Sequence, residues 1–155
     1  MRVLACDGIH EDGLILMREA GWEVEISDPI KDPAVLAKKL EGVDALLVRS
    51  ATAVTAEAIA NASQLKVIGR AGAGVDTIDV DAATARGIAV MNAPDGNTLA
   101  AAEHAISLLF ALARHIPKAD AGMKAGGWPK AGLTGFELEG KKLGVIGLGR
   151  IGATV

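Results

Sequence analysis

A glycine-rich turn near the end of the sequence constrains the fold most strongly. The apolar run 143–146 predicts a buried strand, and Gly147-x-Gly149-x-x-Gly152 follows it directly. In a dinucleotide-binding turn the first glycine permits a tight bend, the second lets the backbone approach a pyrophosphate, and the third lets the next helix pack closely. A strand followed by this glycine spacing therefore predicts the first turn of a dinucleotide-binding domain.

Strands and helices alternate in the sequence that precedes this turn. Apolar runs indicate the strands, and capping residues, prolines and glycines indicate where helices begin and end. The predicted strands are 2–6, 22–26, 45–48, 66–69 and 88–91, and the predicted helices are 14–20, 33–41, 55–60 and 80–86. Single helices between consecutive strands are typical of an α/β fold with a parallel, doubly wound sheet of the flavodoxin or Rossmann kind.

The alternation of strands and helices stops near Asn97. The run 99–116 predicts one long helix that is apolar on nearly every side and ends near Pro117. We therefore predict two domains, one over 1–97 and a second over 98–155 that contains this bridging helix and the strand 143–146. A helix that is apolar all round must be buried all round, so we expect other surfaces to cover it.

Composition and charge exclude several classes of protein. The 155 residues carry a net charge of -3, which gives no basic surface for nucleic acid. No apolar stretch is long enough to span a bilayer. The single cysteine, Cys6, lies in an apolar run, as a core residue in a reducing compartment would. We expect a cytoplasmic protein that binds neither nucleic acid nor a membrane.

Polar or glycine-rich segments follow three of the predicted strands. Arg49 and Ser50 follow the third strand, 70–76 the fourth and 92–97 the fifth. Open parallel sheets bind ligands beyond the carboxyl ends of their strands, so these segments are the expected site.

Two arginines in these segments, Arg49 and Arg70, would together with exposed amides form a pocket for a small anion, either a carboxylate or a phosphate. The alternative is that both arginines are solvated or paired with carboxylates such as Asp76. Gly72 and Gly74 are expected turn glycines in either case.

The three histidines suggest no catalytic or metal site. His10 lies in the first loop, and His104 and His115 lie on the long predicted helix. Surface or structural roles are expected for all of them, and no set of residues has the spacing of a zinc site or a nucleophilic triad.

Several of these motifs together resemble a known family. Six segments occur in the order seen in the D-2-hydroxyacid dehydrogenases, namely 48–52, 69–76, 81–88, 91–97, 102–104 and 140–152. The resemblance covers the whole chain. It implies a substrate domain followed by an NAD-binding domain, and an enzyme that is a homodimer.

The activity implied by the resemblance is NAD-dependent oxidation of a small anionic 2-hydroxy acid. The motifs are most similar to those of family members that oxidise 3-phosphoglycerate to 3-phosphohydroxypyruvate, the first step of serine synthesis. Two alternatives stay open. One is a dehydrogenase for glyoxylate, hydroxypyruvate or another 2-hydroxy acid, and the other is a non-catalytic binding protein with the same fold.

The resemblance also implies roles for individual residues. The residues that resemble the substrate pocket are Arg49, Ser50, Arg70, Gly72, Gly74 and Asn97. The residues that match positions against the cofactor are Ala73, Gly147, Gly149, Arg150, Ile151 and Gly152. In the family, the catalytic arginine, glutamate and histidine and the ribose-binding acidic residue all follow the glycine turn. We therefore expect no catalytic residue among these 155, and an N-terminal part of an enzyme that is inactive alone.

Overall fold

The structure is a computed structural model that describes residues 1–155. The chain forms two compact units, Met1–Gly96 and Asn97–Val155. The strands of the first unit are β1 Arg2–Ala5, β2 Glu23–Ile26, β3 Ala45–Val48, β4 Val67–Arg70 and β5 Ala89–Asn92. Its helices are α1 Glu11–Glu19, α2 Pro33–Lys39, α3 Ala56–Ile59 and α4 Val80–Ala85. That the first unit binds the substrate and the second begins the cofactor-binding domain stays a prediction.

The first unit is built on one parallel sheet. Its five strands lie in the order β2-β1-β3-β4-β5, and every neighbouring pair is parallel. Consecutive strands are joined by single helices, so the predicted α/β fold with a parallel sheet is confirmed. Because all strands point the same way, their carboxyl ends meet at one edge of the sheet.

Both faces of the sheet bury apolar side chains. Side chains alternate between the faces along each strand, so Leu4 and Leu46 lie in one core cluster while Val3 and Ala45 lie in another. The larger cluster includes Leu36 and residues of α3 and α4, and the smaller one includes Leu14 of α1. The sheet is therefore doubly wound. β2 is an edge strand and is mostly exposed.

Local signals set the ends of most helices in this unit. The side chains of Asp32, Thr55 and Asp79 each accept a hydrogen bond from a backbone amide in the first turn of their helix, as the sequence predicted. Gly21 and Gly87 follow α1 and α4 with φ of +77° and +70°, a backbone conformation that favours glycine.

Helices dominate the second unit, which contains α5 Thr98–Ala113, α6 Ile116–Lys124 and α7 Arg150–Thr154. The long helix predicted over 99–116 is present as α5, but it ends earlier than predicted, because His115 takes a left-handed conformation with φ of 52° before Pro117. The proline then occupies the first turn of α6, where its missing amide costs nothing. No single helix is long and apolar enough to cross a membrane. The pair α5 and α6, bent by 68°, reaches the required length and apolar composition only when the two helices are taken together.

The strand predicted at 143–146 does not form. This segment has no regular secondary structure and is exposed throughout. The physical reason is that a strand needs hydrogen-bonded neighbours, and the second unit has no other strand to pair with. Apolar character alone therefore gave a wrong prediction here.

The long helix is largely exposed in the single chain, so the expectation that other surfaces cover it stays a prediction. In α5 only Ala102 and Ala113 are buried, and large apolar side chains along the helix are exposed. The exposed members on α5 are Leu99, Leu108, Phe110 and Leu112.

Cys6 is fully buried against the sheet. Burial raises the pKa of its thiol to about 11, and the nearby negative charge of Asp7 adds to the effect. Since the thiolate is the nucleophile, we expect iodoacetamide at neutral pH to leave Cys6 unmodified in the folded protein and to modify it in denaturant. Mass spectrometry measures the label, and rapid modification without denaturant would contradict this burial.

Candidate functional site

The candidate site lies at the carboxyl edge of the parallel sheet. Asp7 follows β1 by one intervening residue, Arg49 follows β3 directly, and β4 and β5 end in Arg70 and Asn92. Because β1, β3, β4 and β5 are successive neighbours in the sheet, these polar residues lie side by side. The structure thus brings together the segments after β3, β4 and β5 that the sequence indicated, and adds the end of β1.

The carboxylate of Asp7 is the centre of a hydrogen-bond network at this edge. Its Oδ2 accepts the backbone amides of Arg49 at 2.9 Å, Ala51 at 3.2 Å and Thr52 at 3.0 Å. Its Oδ1 accepts the hydroxyl of Thr52 at 2.6 Å. Four donors from the loop after β3 therefore converge on one carboxylate.

The same loop is also held from the segment that follows β2. Thr52 is completely buried, and its Oγ1 accepts the amide of Ile30 at 3.0 Å while its hydroxyl donates to Asp7. The Nζ of Lys31 donates to the carbonyl oxygen of Ala51 at 2.8 Å. The loop 49–52 is therefore fixed on two sides.

The pKa of the Asp7 carboxyl lies below its ordinary value. Partial burial alone would raise this pKa, but the hydrogen bonds from the Thr52 hydroxyl and from the amides of Thr52, Arg49 and Ala51 outweigh burial and lower it. Asp7 is therefore a carboxylate at neutral pH. Its stabilising contribution is present above the ordinary carboxyl pKa and is lost as the pH falls through the lowered folded-state pKa.

The two predicted anion-binding arginines differ in their surroundings. Arg49 is exposed, and its guanidinium forms no ion pair. Arg70 is only 11% exposed, and it donates from Nε to the carbonyl oxygen of Arg49 at 3.0 Å and from Nη1 to Asp76 at 2.9 Å. Pairing with Asp76 was the alternative to an open pocket, and it holds for Arg70. Arg49, with exposed Ser50 beside it, keeps a free cation at the edge.

The loop after β4 packs closely around the ion pair. A Cβ on Gly74 would lie 2.7 Å from Asp76 Oδ1 and 2.9 Å from Arg70 Nη1, whereas one on Gly72 would meet Arg70 only at ordinary distances. The side-chain amide of Asn92 donates to the carbonyl oxygen of Ala73 at 2.6 Å. A side chain at position 74 would therefore displace the ends of the Arg70 and Asp76 side chains, and Asn92 ties the loop to β5.

A shallow groove lies beside these residues. It has a volume of about 200 Å³ and is bounded by the ends of β3, β4 and β5, with Arg70 and Asn92 at its polar side. Its other lining residues are Leu47, Gly69, Ala71, Met91 and Ala93. The groove is therefore mostly apolar, with polar atoms at the side where Arg70 and Asn92 lie.

The glycine turn lies in the second unit. Gly147 has φ of +92°, and Gly149 has no atom within 4 Å of the position that a Cβ would take. A Cβ on Gly152 would overlap the carbonyl oxygen of Gly147. The first and third glycines are thus needed by the turn itself, while the second leaves open space in front of the backbone.

Other predicted residues lie outside the cluster of the first unit. Asn97 precedes α5 in the second unit and makes no side-chain capping bond. His10 caps α1 through its Nδ1, and Nε2 of His115 lies 3.2 Å from the carbonyl oxygen of Thr134. No group of three or more metal-ligating side chains is present.

Three residues of the site were not singled out from the sequence: Asp7, Thr52 and Asn92. Each lies in or next to a segment that was recognised, but its role depends on contacts with residues 19 to 45 positions away. The one available signal was the position of Asp7 directly after the first predicted strand, at the edge where ligands bind.

Comparisons with known proteins support the resemblance. A family model for the D-isomer specific 2-hydroxyacid dehydrogenase catalytic domain matches residues 3–154. A D-3-phosphoglycerate dehydrogenase of Archaeoglobus fulgidus is 49% identical over 155 residues, which are 100% of this chain and 29% of that protein.

Solved structures agree with this match. A protein from Thermus thermophilus superposes with a TM-score of 0.90 at 36% identity, over 99% of this chain and 51% of that one. The NAD-dependent formate dehydrogenase of Staphylococcus aureus, solved in complex with NAD, gives a TM-score of 0.85 at 28% identity, again over 99% and 51%. The chain thus spans less than a third of the Archaeoglobus enzyme and about half of each solved chain.

Proposed function

The chain belongs to the D-isomer-specific 2-hydroxyacid dehydrogenase family, and we propose that it forms part of an NAD-dependent D-3-phosphoglycerate dehydrogenase. The reaction is oxidation of 3-phosphoglycerate to 3-phosphohydroxypyruvate. This assignment also implies a cytoplasmic enzyme of serine biosynthesis. Identity of 48% to a second archaeal D-3-phosphoglycerate dehydrogenase, from Methanocaldococcus jannaschii, supports the same substrate.

The observation that carries the proposal is the free guanidinium of Arg49 at the carboxyl edge, where the partly buried Arg70 donates to its backbone. The substrate carries a carboxylate and a phosphate, and guanidinium groups bind both by charge-assisted hydrogen bonds. Arg70 donates to the carbonyl oxygen of Arg49, so one guanidinium lies against the backbone of the residue that carries the other. Arg49, Ser50 and Arg70 are the residues that we assign to substrate binding in the first unit, with Gly72 and Gly74 shaping the loop.

The second unit is proposed to supply the start of the NAD site. The residues fit such a group, because Gly147 has the conformation of a tight turn and Gly149 has open space in front of its backbone. We assign to cofactor binding the residues Ala73, Gly147, Gly149, Arg150, Ile151 and Gly152, and to substrate binding also Asn97. NAD supplies the hydride acceptor when bound. The residues of this chain contribute binding and orientation, and we assign none of them a catalytic role.

Substrate specificity separates this proposal from its nearest rival. The fold is shared with the formate dehydrogenase and with a D-lactate dehydrogenase of Escherichia coli, so the fold does not select the substrate. A site for 3-phosphoglycerate should bind that ligand more tightly than glyoxylate or D-lactate, because only 3-phosphoglycerate carries a phosphate.

Replacing Arg49 with glutamine should weaken binding of 3-phosphoglycerate about tenfold or more, since a charge-assisted hydrogen bond contributes about 1.5–3 kcal/mol. Calorimetric titration of the 155-residue chain at low ionic strength measures this change. Arg86→Gln is the matched control, because Arg86 is also exposed but follows α4 and lies away from the cluster.

Two outcomes would contradict the proposal. Equal binding by the Arg49→Gln and Arg86→Gln variants would show that Arg49 does not contact the ligand. Tighter binding of glyoxylate than of 3-phosphoglycerate would favour the rival substrate class.

A further inference from the structure

We propose that Asp7 is a positioning residue for the anion site, acting through the loop 49–52 that carries Arg49 and Ser50. The inference rests on the proposed function, because it concerns the same site. Asp7 does not reach the ligand in this account. Its carboxylate fixes the backbone from which the ligand-binding side chains extend.

Asp7 satisfies four hydrogen-bond donors of one short loop. The amides of Arg49, Ala51 and Thr52 point at one oxygen, and the Thr52 hydroxyl points at the other. Converging backbone amides form an anion-binding concavity, and here the anion is supplied by the protein itself. Without that carboxylate, three amides of one short loop would lose their partner.

The negative charge of Asp7 is directed at the loop rather than at the Arg49 side chain. Its two oxygens accept four donors of the loop, three on Oδ2 and one on Oδ1. The Arg49 guanidinium is in no ion pair with Asp7 in the structure, although the charge of Asp7 lies beneath the same loop. The arrangement keeps Arg49 free for an external anion, in contrast to Arg70, which pairs with Asp76.

The loop 49–52 is also linked to the second arginine, Arg70. Arg70 donates from Nε to the carbonyl oxygen of Arg49, so the backbone position of Arg49 also sets the position of Arg70. Asp7 itself takes a left-handed backbone conformation with φ of 65°, which is uncommon outside glycine. This conformation places its carboxylate under the loop, and the hydrogen bonds stabilise it there.

The test is titration of the 155-residue chain with inorganic phosphate and with 3-phosphoglycerate, combined with amide hydrogen exchange by NMR. Asp7→Ala should weaken binding of both ligands about tenfold, the size expected when about 1.4 kcal/mol is lost. It should also accelerate exchange at the amides of Arg49, Ala51 and Thr52. Asp7→Asn keeps one carbonyl acceptor and should restore part of the affinity.

A matched control separates positioning from general loss of stability. Asp44 also accepts a backbone amide, that of Arg2 at 2.9 Å, and pairs with Lys66, but it precedes β3 and so lies at the opposite edge of the sheet. Asp44→Ala should lower the melting temperature without changing anion affinity by more than about twofold, which is under 0.5 kcal/mol.

Each result decides the question. Unchanged affinity in Asp7→Ala, or an equal loss in Asp44→Ala, would overturn the positioning role. If Asp7→Ala does not fold, Asp7→Asn takes its place. Wild-type anion affinity together with wild-type amide exchange in the loop of Asp7→Asn would then overturn the inference. Arg49→Gln distinguishes the two proposals. If that variant binds normally, the anion site itself fails, whereas a loss in Arg49→Gln without one in the Asp7 variants rejects only the present inference.

Discussion

Replacing Thr52 with valine should lower the free energy of unfolding by about 2–4 kcal/mol, although the two side chains have nearly the same shape. Thr52 is completely buried, and its Oγ1 accepts the amide of Ile30. In the variant this buried amide would have no partner. Asp7 would also lose its shortest hydrogen bond, at 2.6 Å. Urea unfolding monitored by circular dichroism measures the difference.

A second threonine provides the control for this prediction. The Oγ1 of Thr77 is also shielded from solvent but has no hydrogen-bond partner. Thr77→Val removes an unsatisfied polar atom, so it should be neutral or stabilising. Equal destabilisation by Thr52→Val and Thr77→Val would show that the cost comes from the methyl group rather than from the network around Asp7.

The pH dependence of the Thr52 variant has a definite sign. Burial alone would raise the pKa of the Asp7 carboxyl, but its hydrogen bonds lower the pKa overall, and the bond from the Thr52 hydroxyl is the largest of these lowering contributions. Removing that hydroxyl should therefore bring the pKa of Asp7 upward. The loss of stability on acidification should therefore be smaller in Thr52→Val and complete at a higher pH than in the wild type, because the interval between the unfolded-state and folded-state pKa values of Asp7 is narrower.

Signals that are local in the chain predicted most of the fold. A capping side chain such as Asp32 acts within two residues, and the apolar runs of β1, β3 and β4 form strands in the middle of the sheet. The parallel sheet followed from the order of these elements. The strand at 143–146 was predicted wrongly because a strand also depends on neighbouring strands, which its own sequence does not specify.

The candidate site was predicted only in part. The segments that carry Arg49 and Arg70 were found because the carboxyl edge of a parallel sheet follows from strand order alone. The pairing of Arg70 with Asp76 was considered as an alternative, because the two residues are six positions apart. Asp7 was missed because its four bonds join residues 42 to 45 positions apart, a distance at which only the folded chain reveals the contact.

The exposed apolar surface of the second unit should make the chain self-associate. Large apolar side chains on α5 and at the start of α6 are 51–71% exposed, and these are Leu108, Phe110, Leu112 and Ile116. Leu108 and Leu112 lie one helical turn apart on the same face, and exposed apolar patches mark interfaces in soluble proteins. A groove of about 300 Å³ lies at the bend between the helices and is lined in part by Leu108, Leu112 and Lys118.

We expect the partner to be a second copy of the chain, related by a two-fold axis. Each copy presents both the exposed leucines and the adjacent groove, so a self-complementary contact can bury the patch on both copies at once. Burial of apolar surface contributes about 25 cal/mol per Å², which must exceed the cost of lost rigid-body freedom for a dimer to form. The exposed face of α5 supplies this apolar area.

Leu112→Glu tests this assembly, because Leu112 is 71% exposed and a carboxylate there would be desolvated in the dimer. The dissociation constant should rise at least about tenfold, corresponding to about 1.4 kcal/mol, as measured by sedimentation equilibrium. Leu16→Glu is the control, since Leu16 is 66% exposed but lies on α1 of the first unit. A wild-type chain that remains monomeric at micromolar concentration would reject the dimer, and equal effects of both substitutions would place the interface elsewhere.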